Sequence, residues 1–206
     1  MTINKLPNQD DVLNRAGFVG YGPFNMHGPI ADELSTQSSG GAVVSTGTLY
    51  GVRVGNSATA GNDASVIGPR KKANPSGYGY ISTLVTKILF SRAAGTTDVQ
   101  KIGWVPYADI SNDEGAVLEI SNGSASYAVN ATTAAATAPP EDEIIPLTII
   151  EDIEAGATTF EQGGAVNESV TIDSTAIRSG CLGVGYESNG NGDELWVQYM
   201  KTDVVV

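Results

Sequence analysis

Few side chains in this sequence belong to the types that do chemistry, and their scarcity is the first constraint. His27 is the only histidine and Cys181 the only cysteine. A Ser-His-Asp or Cys-His nucleophile would have to use them, yet no G-x-S-x-G or cysteine-enzyme signature accompanies either. Cys181, beside Leu182, reads as a small buried core residue. Zinc lacks its usual ligands for the same reason. Oxygen ligands are better clustered: Asn189, Asn191, Asp193 and Glu194 are close enough to suggest calcium, but their run is not an EF-hand loop and matches the glycine-aspartate nonapeptide only once. The Asn-Gly pairs in it supply the positive backbone angles of a turn, which is the stronger reading. Glu187, Asp193 and Glu194 also offer carboxylate pairs of the kind glycosidases use, although a chain half this acidic produces such pairs by chance. No catalytic residue, metal ligand or cofactor is assigned, and the chain reads as a non-enzyme.

Three further groups suit contact rather than catalysis. Arg70, Lys71 and Lys72 form a basic loop bounded by Pro and Gly, without the Gly-Lys-Ser/Thr ending of a phosphate-binding loop. They are candidates for contact with an acidic partner surface. Trp104, Tyr107, Trp196 and Tyr199 would stack on sugar rings if exposed, and would be core if buried. Near the N-terminus, Phe18, Tyr21, Phe24, Met26 and Ile30 are apolar anchors that follow no helical or strand period.

The elements that must position these residues read as β structure. The chain has 206 residues, 41% of them hydrophobic, which suffices for a packed core. Its 25 glycines disfavour long helices and suit a turn-rich β fold. The single cysteine excludes an intrachain disulfide framework. The N-terminal residues lack the apolar core of a signal peptide, and no apolar run is long enough to span a membrane. Net charge is −12, distributed unevenly: residues 1–110 carry 9 basic and 7 acidic side chains, residues 111–206 carry 2 and 16. So acidic a half repels nucleic acid and anionic lipid.

Residues 1–41 are predicted to form an extended N-terminal arm, broken by Pro7, Pro23 and Pro29, that becomes ordered by lying on its own domain or on a neighbouring subunit. Residues 42–206 are predicted to form a β-rich body, a sandwich or barrel. Within it, 78–90 reads as a long strand although a helical stripe also fits. Residues 99–110 read as a strand broken or placed at an edge by Pro106. Residues 116–120 and 126–129 read as strands joined through Asn122-Gly123, and 130–145 as a linker or protruding loop. The last 30 or so residues carry the clearest pattern (roughly one hairpin's worth). Leu195, Val197 and Tyr199 alternate with Trp196, Gln198 and Met200, and with the run from Cys181 to Glu187 they predict a β-hairpin across the Asn/Gly loop.

The arm, the Gly/Ala/Thr/Ser/Asn-rich β body and the closing pattern from Ala176-Ile-Arg-Ser-Gly through Gly192-Asp-Glu-Leu-Trp-Val-Gln-Tyr resemble bacteriophage capsid decoration (cement) proteins. That resemblance implies a virion structural protein on the capsid surface, made in the host cytoplasm. It further implies a homotrimer bound to the major capsid protein through the arm, with no nucleic-acid or membrane partner. The alternative expectation is a receptor- or glycan-binding module of a phage tail or fibre.

Overall fold

The computed structural model describes residues 21–25, 35–38, 40, 43–48, 51–55, 57–70, 79–89, 98–105, 115–121, 123–140, 143–176 and 181–205. Among them are fifteen strands and no helix, arranged in two sheets and numbered in chain order. The first sheet runs β13 (Glu168–Ile172), β12 (Ala157–Gln162), β11 (Ile144–Asp152), β6 (Gly79–Leu89), β15 (Glu194–Val205), β4 (Gly51–Gly55) and β3 (Val43–Thr48), with β1 (Tyr21–Asn25) also paired to β15. The second runs β10 (Thr132–Ala136), β9 (Ser124–Val129), β8 (Ala116–Ser121), β7 (Val99–Val105), β14 (Cys181–Glu187), β5 (Asp63–Arg70) and β2 (Ser35–Ser38). Every pairing is antiparallel.

Period-two alternation builds the core. Ile102 and Trp104, Ala116, Leu118 and Ile120, Tyr127 and Val129, and Leu182, Val184 and Tyr186 project from the second sheet. They meet Val52 and Val54, Ile145, Leu147 and Ile149, Phe160, Ile172, Leu195, Val197 and Met200 of the first. The result is a β-sandwich, as the alternation predicted. Each large side chain buried this way contributes ~1.5–3 kcal/mol. A second, smaller cluster of Val105, Val117 and Cys181 lies on the other face of β7, β8 and β14, so Cys181 is buried, as its apolar neighbour suggested.

Several expectations need correcting. The strands flanking the Asn/Gly loop do not form a hairpin: β14 lies between β7 and β5 in one sheet, β15 between β6 and β4 in the other. Alternation and turn residues identify two strands and a reversal, but not whether the second strand returns to the same sheet. Nor does β15 alternate throughout. A bulge between Val197 and Tyr199 resets its phase, so Met200 faces the core and Tyr199 joins Trp196 on the outer face. β7 is interior, between β8 and β14, so Pro106 does not place it at an edge; the strand runs to Val105, and Pro106 itself lies outside the described residues. The 130–145 stretch opens with an edge strand, β10, before its loop begins. The 78–90 run contains the eleven-residue strand β6 and no helix among its described residues.

Two pieces of the 1–41 segment are strands of this same sandwich. β1 pairs with β15 in the first sheet and β2 with β5 in the second.

Candidate functional site

Two polar assemblies stand at the end of the sandwich where β14 gives way to β15. The first is built on Asp98, which directly precedes β7 and is fully buried. Its Oδ1 accepts the backbone N–H of Asn189 at 2.6 Å and of Asn191 at 3.2 Å. Its Oδ2 accepts the Tyr186 hydroxyl at 2.7 Å and the Asp193 N–H at 2.8 Å. Asp193 reciprocates, its Oδ2 accepting the Asp98 N–H at 2.6 Å. The 188–193 connection is thus an arch wrapped around one carboxylate. Ser188 ties it to the 57–62 loop, donating its hydroxyl to Ser57 O at 2.7 Å and its N–H to Asn62 O at 2.8 Å. Burial pushes the Tyr186 hydroxyl up to about 12, with Ser188 and Ser57 opposing the rise and Asp98 adding to it.

This geometry disposes of the chemistry the sequence suggested there. The Asn189 and Asn191 amides point at Asp98, and Asp193 is buried against it. Glu194 is ion-paired with Arg53 at 3.1 Å on the outer face of the first sheet. Glu187 alternates with the core residue Tyr186 on the second sheet, so it faces the opposite outer side. The three acids therefore do not converge as a carboxylate pair. Among the described residues, no group of three or more His, Cys, Asp and Glu is placed to hold a metal ion.

The second assembly is open, and it begins at Pro146. This residue sits in β11, an interior strand, and has no N–H to give to a ladder. The paired register between β11 and β12 runs from Asp152↔Ala157 to Leu147↔Gln162 and stops there. One more bond follows, from Gly163 N–H to Pro146 O at 2.8 Å, and the chain then leaves for β13. Glycine is required at this departure: a Cβ on Gly163 would stand 2.9 Å from Pro146 Cγ, and one on Gly164 (φ 72°) 2.9 Å from Ile144 O. Asn167, at φ 51°, turns the chain into β13. Between departure and return lies a groove of about 390 Å³, lined by Pro146, Thr148, Glu161, Asn167, Glu168 and Ser169 among others. Glu161, Asn167 and Ser169 are exposed.

A clasp across the two sheets holds this groove. Glu168 Oε1 accepts the Tyr127 hydroxyl and the Thr137 N–H, both at 2.8 Å. Tyr127 is buried and its ring stacks on Phe160, with centroids 4.7 Å apart. Burial, reinforced by Glu168, raises the Tyr127 hydroxyl well above its ordinary value. Burial also works to raise Glu168, but hydrogen bonds from Thr137 and Tyr127 outweigh it and hold the carboxyl below its usual range. The groove therefore offers carboxylate and hydroxyl acceptors, an amide and the apolar face of a proline.

Sequence reasoning missed Pro146, Glu161, Asn167 and Glu168 as site residues. Two signals were available. A proline inside an apolar alternating run followed by Gly-Gly marks a strand pair that parts early. Residues 102–177 also contain thirteen Asp and Glu and no Lys, Arg or His. Of the residues singled out earlier, Trp104 is fully buried core, while Trp196 and Tyr199 are half-buried on the outer face of the first sheet. Tyr21 and Phe24 lie in β1, opposite Thr202 and Met200, and Arg70 ends β5. Tyr107, His27, Phe18, Met26, Ile30, Lys71 and Lys72 fall outside the described residues.

No family model matches the chain, and no curated protein does. Solved structures do. Peanut lectin, solved with a nine-residue peptide, superposes with a TM-score of 0.67 at 10% identity, over 91% of this chain and 98% of the lectin. The carbohydrate recognition domain of Emp47p gives 0.61 at 10%, over 89% and 95%. A protein of unknown function from Shewanella oneidensis gives 0.65 at 13%, over 100% and 97%. The class is thereby defined: this chain has the β-sandwich fold of the legume lectins.

Proposed function

We propose that the protein is a non-catalytic carbohydrate-binding module. The observation that carries this reading is the lectin-type sandwich, shared over nearly the whole chain with carbohydrate-recognition domains. The open polar groove at Pro146 supports it. Fixed carboxylates accept sugar hydroxyls, an amide gives and accepts, and a proline face meets sugar C–H groups. Of the two settings expected from the sequence, decoration of a phage capsid and glycan recognition on a tail or fibre, the fold likeness supports the second. A fluorescently labelled sample applied to a broad glycan array tests the reading. Retention on one or more related glycans, lost after heat denaturation, is the expected result. Uniform failure to bind any glycan, with the protein folded by circular dichroism, would sink it.

A further inference from the structure

The groove does not stand alone on its face of the sheet. Register carries Pro146 across β6 to Tyr199, through the pairs Pro146↔Val85 and Tyr199↔Val85. The neighbouring row carries Ile144 across β6 to Trp196, through Ile144↔Lys87 and Trp196↔Lys87. The bulge in β15 turns Trp196 and Tyr199 to the same side, and that side is the one on which Ile144 and Pro146 lie. Core residues Leu147 and Met200, both partners of Leu84, fix the opposite face. A half-buried aromatic pair therefore lies about 10 Å from the groove, two inter-strand spacings away. Ile144, two residues from Pro146 on β11, is an exposed large hydrophobic residue, at 49%.

We infer that the outer face of the first sheet binds a neutral oligosaccharide running across the strands, one sugar in the Pro146 groove and another stacked on Trp196 and Tyr199. This rests on the carbohydrate-binding reading and goes beyond it by fixing the face, the length and the charge of the ligand. Length follows from the separation: a single sugar reaches the groove or the aromatics, and a chain of about three reaches both. Charge follows from the groove, where the exposed Glu161 carboxylate accepts hydroxyl donors and repels carboxylate or sulfate. The cations of this face stand outside the groove lining: Lys87 lies in register between Ile144 and Trp196, and Lys201 lies in the row of Thr148, through Thr83. Stacking on Trp196 and Tyr199 uses the apolar face that pyranose rings present and discriminates little between sugars, so the groove sets identity and the aromatics add affinity.

The test is isothermal titration calorimetry with a chain-length series, from mono- to hexasaccharide, of a neutral glycan found on the array. Affinity is expected to rise at least tenfold up to about the trisaccharide and then level off. Trp196→Ala should reduce tetrasaccharide affinity about tenfold and leave the monosaccharide unchanged, and Trp196→Phe should restore most of it. Glu161→Gln and Asn167→Gly, the latter keeping the positive φ, should weaken every member of the series. A uronate polymer should not compete. Affinity independent of chain length, or effective competition by the uronate, overturns the inference. So does binding that survives all of these substitutions, although the carbohydrate reading would then stand with its site elsewhere. Absence of binding to any glycan removes both.

Discussion

The Asp98 arch and the Pro146 groove lie at the same end of the sandwich and are made from the same residues: Asn, Gly, Ser and acids. They use them oppositely. In the arch, a buried carboxylate collects donors from a tyrosine and three loop residues, and every one of them points inward. In the groove, Glu161 and Asn167 point out, and only Glu168 is tied back. Polar residues that satisfy one another make a joint, whereas polar residues held apart by a proline and two glycines remain available to a ligand. Acidity and Asn/Gly content do not separate the two cases.

The contrast can be broken most forcefully at Asp98. Asp98→Ala leaves the arch donors and the Tyr186 hydroxyl buried without an acceptor, and should cost about 3–5 kcal/mol in urea denaturation. Glycan retention, measured well below the unfolding transition, should survive. On the groove side, Tyr127→Phe keeps the ring stack on Phe160 and removes the clasp bond to Glu168. It should cost about 1–2 kcal/mol.

Acidity should probe the clasp through Glu168, and alkalinity both assemblies, because the Tyr127 and Tyr186 hydroxyls are both raised. Glu168 has a folded value below its ordinary 4.5, so its contribution is complete above that pH and is lost as pH falls through the folded value. Melting temperature should drop on acidification below pH 4.5, and Glu168→Gln should shrink that drop. Tyr186 has a folded value raised to about 12 from 10, so its contribution is complete below pH 10 and is lost as pH rises toward 12. Tyr186→Phe should make the alkaline limb shallower, with the raised Tyr127 hydroxyl supplying what remains. The smallest stability effect belongs to Glu161→Gln, within about 0.5 kcal/mol because the side chain is exposed. If that substitution destabilised the fold like Tyr127→Phe, the groove would be another structural joint.

Much of the architecture was legible in the sequence. Alternation found the 116–120 strand, a reversal does follow it between Ser121 and Ser124, and 78–90 holds a strand in spite of its helical stripe. Asn130 and Asn167 adopt positive backbone angles, φ 51° each, which their residue type tolerates. Sheet membership was not legible, because period two gives a strand its faces but not its neighbours; β14 and β15 therefore looked like a hairpin. Asp98 was invisible for a related reason: a lone acid some ninety positions from the loop it holds leaves no local pattern. The groove escaped because it is defined by where a ladder ends, and that depends on the partner strand as much as on Pro146.

The placement of β15 also bears on how the chain reaches this state. β15 pairs with β6 along nearly its whole length, and on its other side with β4 at Glu194–Val197 and with β1 near Tyr199–Thr202. Among the described residues fourteen strands precede it, and without it the first sheet would be left in three pieces with open edges: β13-β12-β11-β6, β4-β3 and β1. Assembly must wait for a segment far from its partners in sequence, the situation in which folding is slow and unpaired edges attract the wrong strands. β15 thus acts as a latch, and a nascent chain lacking it should depend on chaperones until the latch can slide between β6 on one side and β4 and β1 on the other.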